Sequence, residues 1–145
     1  MDARNREPRG SAREWWGRIG RDEEFRDLFV DDYDRVVRSV FVILQDQGHA
    51  EEIAQDAFMQ LLRHWGKVRD YDQPALWVRR VAIRLAVRSA QRERRINDAV
   101  SRIRPDAEAD VSARVVQHSA VLAAITRLTP KERAVVVLFY FEDRP

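Results

Sequence analysis

Four arginines of one predicted helix have the spacing of a phosphate-binding row. They follow one another at four-residue steps, and a rise of about 1.5 Å per residue makes the row about 18 Å long. They are Arg80, Arg84, Arg88 and Arg92. Like charges at this spacing repel one another, so the row favours a polyanionic partner that neutralises them. A merely solvated helix face is the alternative that the spacing leaves open.

Two aromatic residues, Tyr71 and Trp77, lie just before this row and would suit exposed nucleobases. Aromatic rings stack on bases of single strands while arginines contact the phosphates. Arg69 and Arg95 extend the basic set on its two sides. Burial in the core is an equally good interpretation of either ring, whereas we expect Trp65 to belong to the core.

A second predicted helix carries a polar face of the opposite character. Ile53, Ala57 and Leu61 recur at four-residue steps and mark its buried side. Its other side holds Glu52, Gln55, Asp56 and Met59. An acidic face of this kind suits a basic surface on another protein. We therefore expect these four residues to contact solvent or a partner and to matter little for folding.

Catalytic and metal chemistry find little support in the sequence. His49, Glu52 and Asp56 share one helix, but zinc usually takes three or four ligands converging from more than one element. The absence of cysteine excludes a disulfide, a thiolate zinc site and a cysteine nucleophile. No glycine-rich phosphate loop or nucleophile elbow is present. We expect no enzyme, no metal and no cofactor.

The composition predicts a globular protein that is not embedded in a membrane. The 145 residues are 45% hydrophobic and 34% charged, and the mean hydropathy is -0.53. Residues 1–21 contain no apolar run, so a signal peptide is not expected. We expect a cytoplasmic protein.

Charge is distributed unevenly along the chain. Residues 22–35 contain seven acids and two arginines, whereas residues 79–104 contain nine arginines and two acids. Arginine provides 24 of the 26 basic residues, which suits phosphate and carboxylate groups but also fits a codon bias toward arginine. The sequence thus predicts an electrically bipolar molecule.

Hydrophobic periodicity predicts an all-α fold. The first predicted helix is roughly two dozen residues long and is ended by residues 45–48, and the others run from about 49 to 65, 74 to 95, 113 to 128 and 134 to 141. The first has its apolar side at Phe25, Leu28, Phe29, Val36, Val37, Val40 and Leu44. A loop is expected over 67–73, and Thr129, Pro130 and Glu132 form a predicted capping box before the last helix.

These helices suggest a chain in two parts. An N-terminal extension (1–21) precedes a compact helical domain (22–95), a linker (96–112) and the beginning of a second helical domain of helix-turn-helix type (113–145). Two helices make a poor core by themselves. We expect the last part to pack back on the first domain, to be covered by a partner, or to belong to a longer polypeptide.

Three segments in this order resemble the extracytoplasmic-function class of bacterial RNA polymerase sigma factors, in the sigma-70 family. They are residues 22–44, which begin DEEF, residues 50–58 (AEEIAQDAF), and residues 76–82 (LWVRRVA) running into 92–95 (RERR). Residues 128–133 (LTPKER) through 143 are similar to the opening of the family's fourth region.

The resemblance implies a function in transcription initiation at promoters. The face of Glu52, Gln55, Asp56 and Met59 would bind a coiled coil of the largest subunit of core RNA polymerase. The tryptophan-bearing helix and the preceding loop would bind promoter DNA, including the single-stranded minus-ten region. An anti-sigma factor is a further partner of such proteins. The chain would not read the minus-thirty-five element, since it stops before a recognition helix.

Three positions depart from the family pattern. Arg84 stands where the family usually has the asparagine that lines a pocket for a flipped base, and Arg88 stands where aspartate is frequent. Val68 occupies a position that is often aromatic. We therefore expect an unusual promoter preference.

A different class of function stays open on the sequence alone. A helical adaptor or anti-sigma-like module would use the acidic face for protein binding and leave the arginine row solvated. A steep dependence of DNA affinity on salt would distinguish the sigma factor from this alternative.

Overall fold

The computed structural model describes residues 22–103 and 120–140, and every regular element within these ranges is an α-helix. The helices are α1 (Glu23–Leu44), α2 (Gln47–Arg63), α3 (Trp65–Val68), α4 (Pro74–Ile103), α5 (Ala120–Thr126) and α6 (Pro130–Tyr140). The predicted all-α class is confirmed. The extension 1–21 lies outside the described residues. No helix of the described ranges is long and apolar enough to span a membrane.

Three long helices, α1, α2 and α4, pack pairwise and enclose the core. Their buried faces follow the three- and four-residue steps of the apolar pattern, which brings side chains such as Ile43, Leu61 and Val78 out of contact with water. Trp65 of α3 closes one end of this core. It is 7% exposed and packs edge-on against Phe25, with 5.4 Å between the ring centroids, so its predicted place in the core is confirmed.

The turn between α1 and α2 is made without glycine. Gln45 adopts the left-handed conformation, with φ of 56°, and its backbone N–H donates to the Phe41 carbonyl. The Asp46 side chain then caps α2 by accepting from the His49 N–H at 2.9 Å. These two residues reverse the chain direction and set α2 against α1.

Helix α4 is longer than the sequence predicts. We expected an end near Arg95 and a linker from residue 96, but the helix continues to Ile103. Every residue from 92 to 103 is exposed, so this stretch has no buried face to impose a periodic pattern. Apolar periodicity reports burial rather than helicity, and the helix persists because no proline or glycine interrupts it before Pro105.

The region before α4 also differs from expectation. Helix α2 ends at Arg63 instead of reaching Trp65, and the predicted loop 67–73 is shortened because Val68 closes the four-residue helix α3. Val68 is 1% exposed, so it contributes to the core. The irregular loop that remains is residues 69–73, which we call the 69–73 loop.

The C-terminal helices pack back on the rest of the molecule, which is one of the three arrangements expected for them. Helix α6 contacts α1 and α4 and buries Ala134 and Val137. Its predicted cap is present, since the Glu132 N–H donates to Thr129 Oγ1 at 3.3 Å. Residues 113–119 and 141, which we expected to be helical, lie outside the described residues, and the division into two domains stays a prediction.

Arg133 connects these helices to α1, and the Gln45 amide adds a hydrogen bond to the Leu122 carbonyl at 3.4 Å. The Arg133 guanidinium donates to the carbonyls of Ile43, Ile125 and Thr126 at 2.7, 3.1 and 3.0 Å. These carbonyls lie in the last turns of α1 and α5, where the helix end carries partial negative charge, and the Ile125 carbonyl also accepts from the Leu128 N–H at 3.0 Å. Burial lowers the pKa of Arg133, and the nearby charge of Arg94 lowers it further.

Candidate nucleic-acid interface

The arginine row lies on the outer face of α4. Arg80, Arg84, Arg88 and Arg92 are all exposed, because the opposite face of the helix is buried at Val78, Val81, Ala82, Ala86 and Ala90. None of the four forms an ion pair within residues 22–103 and 120–140. The described part of the protein therefore supplies no direct ion-pair partner for them. We call these four residues the arginine stripe.

A cavity of about 390 Å³ lies at the N-terminal end of the arginine stripe. It is lined by Tyr71, Asp72, Gln73, Leu76, Trp77 and Arg80. The cavity combines two aromatic rings, a carboxylate and a guanidinium, which are the groups that stack on a base and bond to its edge.

The two aromatic residues of the cavity differ in their exposure to solvent. Tyr71, in the 69–73 loop, is 43% exposed. Trp77 is half-buried against the core, and its ring centroid lies 5.6 Å from that of His64. Tyr71 is thus a surface residue, whereas Trp77 both packs against the core and lines the cavity.

Arg69 is exposed but already has acidic neighbours. Its guanidinium lies 3.7 Å from Asp22 and 3.5 Å from Glu24, both at the start of α1. Asp22 also accepts a hydrogen bond of 2.6 Å from the Trp65 indole N–H. A DNA phosphate would have to compete with these carboxylates for Arg69.

Arg95 lies beyond the arginine stripe, beside a second and larger cleft. This cleft, of about 570 Å³, separates the C-terminal half of α4 from the start of α6. Its lining includes Arg94, Arg95 and Lys131, with Asp98 as the acid among them. The positive surface thus continues past Arg92.

The acidic face of α2 is exposed as expected. Glu52, Gln55 and Asp56 are open to solvent, and Met59 is 39% exposed. We call these four residues the α2 face. The Gln55 amide donates to the Tyr33 hydroxyl of α1 at 3.5 Å, so this face continues onto the neighbouring helix.

An aromatic patch on α1 extends the α2 face and was missed by the sequence analysis. Phe29, which we expected on the buried side of α1, is 38% exposed and stacks on Tyr33 with 5.0 Å between ring centroids. Val30 beside it is 70% exposed. The four-residue spacing of Phe29 and Tyr33 indicates that they share one face of α1, but it does not indicate whether that face is buried or exposed.

Arg79 of the basic segment and Asp32 of the acidic segment form an ion pair inside the protein. Arg79 Nε donates to Asp32 Oδ2 at 2.8 Å, and a second bond joins Nη2 to Oδ1. Both side chains are largely buried, at 15% and 8% exposure. This pair ties α1 to α4 and is unavailable to a partner.

His49 is used in packing between helices. Its Nε2 lies 2.9 Å from Ser89 Oγ, and its Nδ1 lies 3.3 Å from a Glu93 oxygen. These contacts join the start of α2 to α4 and direct the ring away from a shared site with Glu52 and Asp56. Residues 22–103 and 120–140 contain no group of three or more histidines and acids that could hold a metal ion.

Comparisons with known proteins agree on one family. The model of sigma-70 region 2 matches residues 28–96, which include α2, the 69–73 loop and the arginine stripe. The chain is 30% identical over 131 residues to the ECF RNA polymerase sigma factor SigK of Mycobacterium ulcerans, an alignment that covers 80% of this chain and 68% of that protein.

A second relative has similar coverage. The chain is 28% identical over 121 residues to the RNA polymerase sigma-E factor of Streptomyces avermitilis, covering 83% of this chain and 67% of the relative. No solved structure matched the chain significantly.

Proposed function

The chain belongs to the extracytoplasmic-function class of RNA polymerase sigma factors, which act in promoter recognition and melting, and we propose how its surfaces divide that work. The arginine stripe and the 69–73 loop bind the single-stranded minus-ten region of promoter DNA. The α2 face binds the coiled coil of the largest subunit of core RNA polymerase. The protein acts in the cytoplasm by binding, without catalysis.

The DNA assignment depends on one observation: the arginine stripe has no ion-pair partner among the described residues, and it begins at the cavity lined by Tyr71 and Trp77. Four exposed guanidinium groups, which form no ion pair with the acids of residues 22–103 and 120–140, make a continuous track for phosphates. The cavity at its start offers Tyr71 and Trp77 for stacking. A strand whose backbone follows the stripe would have a base at the cavity mouth. This arrangement supports capture of one unpaired base there.

Arg80 lines the cavity, and Arg84 is a further member of the stripe that we expect to touch a base. It stands at the position of the asparagine that lines the base pocket in the family, and it lies one helical turn from Arg80 of the cavity lining. A guanidinium donates two parallel hydrogen bonds to the O6 and N7 atoms of guanine, which an asparagine cannot match. The substitution therefore supports an altered base preference.

The polymerase assignment depends on the composition of the α2 face and the patch beside it. Protein interfaces combine a partly apolar centre with a polar rim. Met59, Phe29 and Val30 supply exposed apolar surface, while Glu52 and Asp56 supply the negative charge. Nucleic acid would be repelled by this surface, so a basic protein is the partner it favours.

An anti-sigma factor is a further proposed partner. Val135, Phe139 and Tyr140 of α6 are between 58% and 74% exposed, and the rings of Phe139 and Tyr140 contact each other. A regulator that covers these side chains would bury them from water. Co-purification of the full chain with such a regulator, lost on Phe139→Asp, would support this partner.

The DNA assignment is tested by the salt dependence of binding. Holoenzyme carrying Arg84→Ala and Arg88→Ala is titrated with a single-stranded minus-ten oligonucleotide at several salt concentrations. Each phosphate contact contributes about 0.7 to the slope of log K against log salt on single strands, so the double variant should lose about 1.4. Arg63→Ala, an exposed arginine at the end of α2, is the control. An unchanged slope and unchanged promoter opening would contradict the assignment of the arginine stripe to DNA.

The polymerase assignment is tested by charge reversal. Glu52→Lys with Asp56→Lys should weaken core polymerase affinity by about 2–5 kcal/mol if these charges are desolvated in the complex. The helix content should not change, since both residues are exposed. Asp27→Lys with Asp34→Lys changes the net charge equally on exposed positions of α1 and serves as the control. Equal affinities in calorimetric titration would contradict the assignment.

A further inference from the structure

The 69–73 loop is anchored by a residue that precedes α1. Asp22 Oδ1 accepts from the Phe25 N–H at 3.2 Å and so caps α1. Asp22 Oδ2 accepts from the Trp65 indole N–H at 2.6 Å and lies 3.7 Å from Nη1 of Arg69, the first residue of the loop. One carboxylate thus connects the start of α1, the short helix α3 and the loop.

We propose that Asp22 is a positioning residue for promoter opening, which holds the 69–73 loop in the conformation that presents Tyr71 to the DNA. It touches neither the cavity nor the stripe, and it acts through Trp65 and Arg69. The functional half of this proposal rests on the proposed role of the loop in binding the minus-ten strand.

The bond to Trp65 is the stronger of the two connections. The indole is buried, so its N–H would be left without an acceptor if the carboxylate were removed, whereas the short bond to an ionised acceptor is of the strong kind. The Arg69 ion pair is longer, and its side chains are 42% and 24% exposed, so water and salt screen it. Asp22 therefore acts mainly on α3, with a smaller direct effect on the loop.

Backbone hydrogen bonds connect α3 to the 69–73 loop, so the position of the loop depends on the position of α3. The Arg69 N–H donates to the Trp65 carbonyl at 2.9 Å, and the Tyr71 N–H donates to the Val68 carbonyl at 3.0 Å. The Asp70 N–H donates to the Lys67 carbonyl at 3.3 Å. A change in the placement of α3 would thus move Tyr71, although the described side-chain contacts of Asp22 are with Phe25, Trp65 and Arg69 and Tyr71 lies 49 positions away in sequence.

Amide hydrogen exchange in the full chain tests the positioning step without DNA or polymerase. Asp22→Asn keeps one oxygen to cap α1, but its NH₂ group then faces the indole and guanidinium donors. We expect the exchange rate at the amides of residues 69–71 to rise about tenfold, which corresponds to a free energy of local opening lowered by about 1.4 kcal/mol. The exchange rates in the middle of α2 should not change. Glu23→Gln removes the same charge one residue later, on an exposed side chain, and should change neither set. Unchanged exchange at 69–71 in Asp22→Asn would overturn the proposal.

The connection through Trp65 is tested by a second variant. Trp65→Phe keeps an aromatic ring in the core but removes the indole N–H. If Asp22 acts through this bond, Asp22→Asn should have a much smaller effect on loop exchange in the Trp65→Phe background than in the wild-type background. Additive effects of the two substitutions would contradict action through Trp65.

Promoter opening supplies the functional measurement. Opening is followed with a fluorescent base analogue in the minus-ten element, using holoenzyme at saturating concentration. Asp22→Asn should lower the open-complex yield or rate about tenfold with core polymerase affinity unchanged, and Glu23→Gln should match the wild type. Normal opening, or a loss of polymerase affinity as large as the loss of opening, would overturn the positioning role. If wild-type holoenzyme does not open the promoter, the proposed function fails, and the exchange measurements alone decide whether Asp22 positions the loop.

Discussion

The two sides of α4 use arginine in opposite ways. On the inner side, Arg79 is largely buried and bonded twice to Asp32 of α1. On the outer side, the next residue, Arg80, begins the exposed arginine stripe and has no acidic partner among the described residues. Arg79 therefore belongs to the fold, whereas Arg80 is free for a partner.

This difference explains why local charge was a poor guide to the surface. The count of nine arginines over residues 79–104 treats every one as available. Burial removes Arg79 from the basic surface and Asp32 from the acidic surface, because an unpaired charge could not be buried without a large cost. The helical spacing of the stripe was a better guide, since it selects one side of the helix.

The largest expected effect comes from breaking the inner pair. Arg79→Met leaves the Asp32 carboxylate buried without its partner, and we expect it to lower the free energy of unfolding by about 3–5 kcal/mol. Arg80→Met, one residue away and exposed, should change it by no more than about 0.5 kcal/mol. Chemical denaturation of the two variants measures the difference. Equal stabilities would show that the two sides of α4 do not differ in this way.

A double substitution sharpens this comparison. Asp32→Leu combined with Arg79→Leu removes both charges, so no unpaired group is left in the interior. We expect the double variant to be clearly more stable than Arg79→Met, because apolar replacements of buried ion pairs are often neutral or stabilising. A double variant as unstable as the single one would show that packing, not the unpaired charge, causes the loss.

An intermediate effect is expected at Arg133, which holds α6 with neutral carbonyls instead of a carboxylate. Arg133→Met removes three hydrogen bonds, and about 1–3 kcal/mol of the stability of α6 docking should be lost. Hydrogen exchange should accelerate in α6 and remain slow in the middle of α2. Lys131→Met, at an exposed position of the same helix, is the control. Acceleration throughout the molecule would mean that α6 is part of the same cooperative unit as α1, α2 and α4.

The smallest effect on stability is expected in the arginine stripe. Arg84→Ala with Arg88→Ala removes like charges that repel at a four-residue spacing, so stability should stay the same or rise by about 0.5 kcal/mol. This result, together with the weaker salt dependence of DNA binding, would separate binding from folding on α4. A loss of more than about 1 kcal/mol in denaturation would instead assign these arginines a structural part.

The sequence predicted the helices with a buried face and the exposure of the α2 face and the arginine stripe. It was less accurate where burial imposes no pattern, as in residues 96–103, which are helical but fully exposed. It also placed Val68 in a loop and Phe29 on the buried side of α1. In both cases a neighbouring helix decides the exposure of the side chain.

The all-α fold, the separation of acidic and basic segments and the family of the protein were determined by the sequence itself, because residue spacing along a helix fixes which side chains share a face. The tertiary structure alone decided which charges are available. It paired Asp32 with Arg79, joined Asp22 to Trp65 across 43 positions and placed Arg133 at the ends of two helices. These contacts depend on how helices distant in sequence pack together, and the spacing within a single helix contains no information about its neighbours.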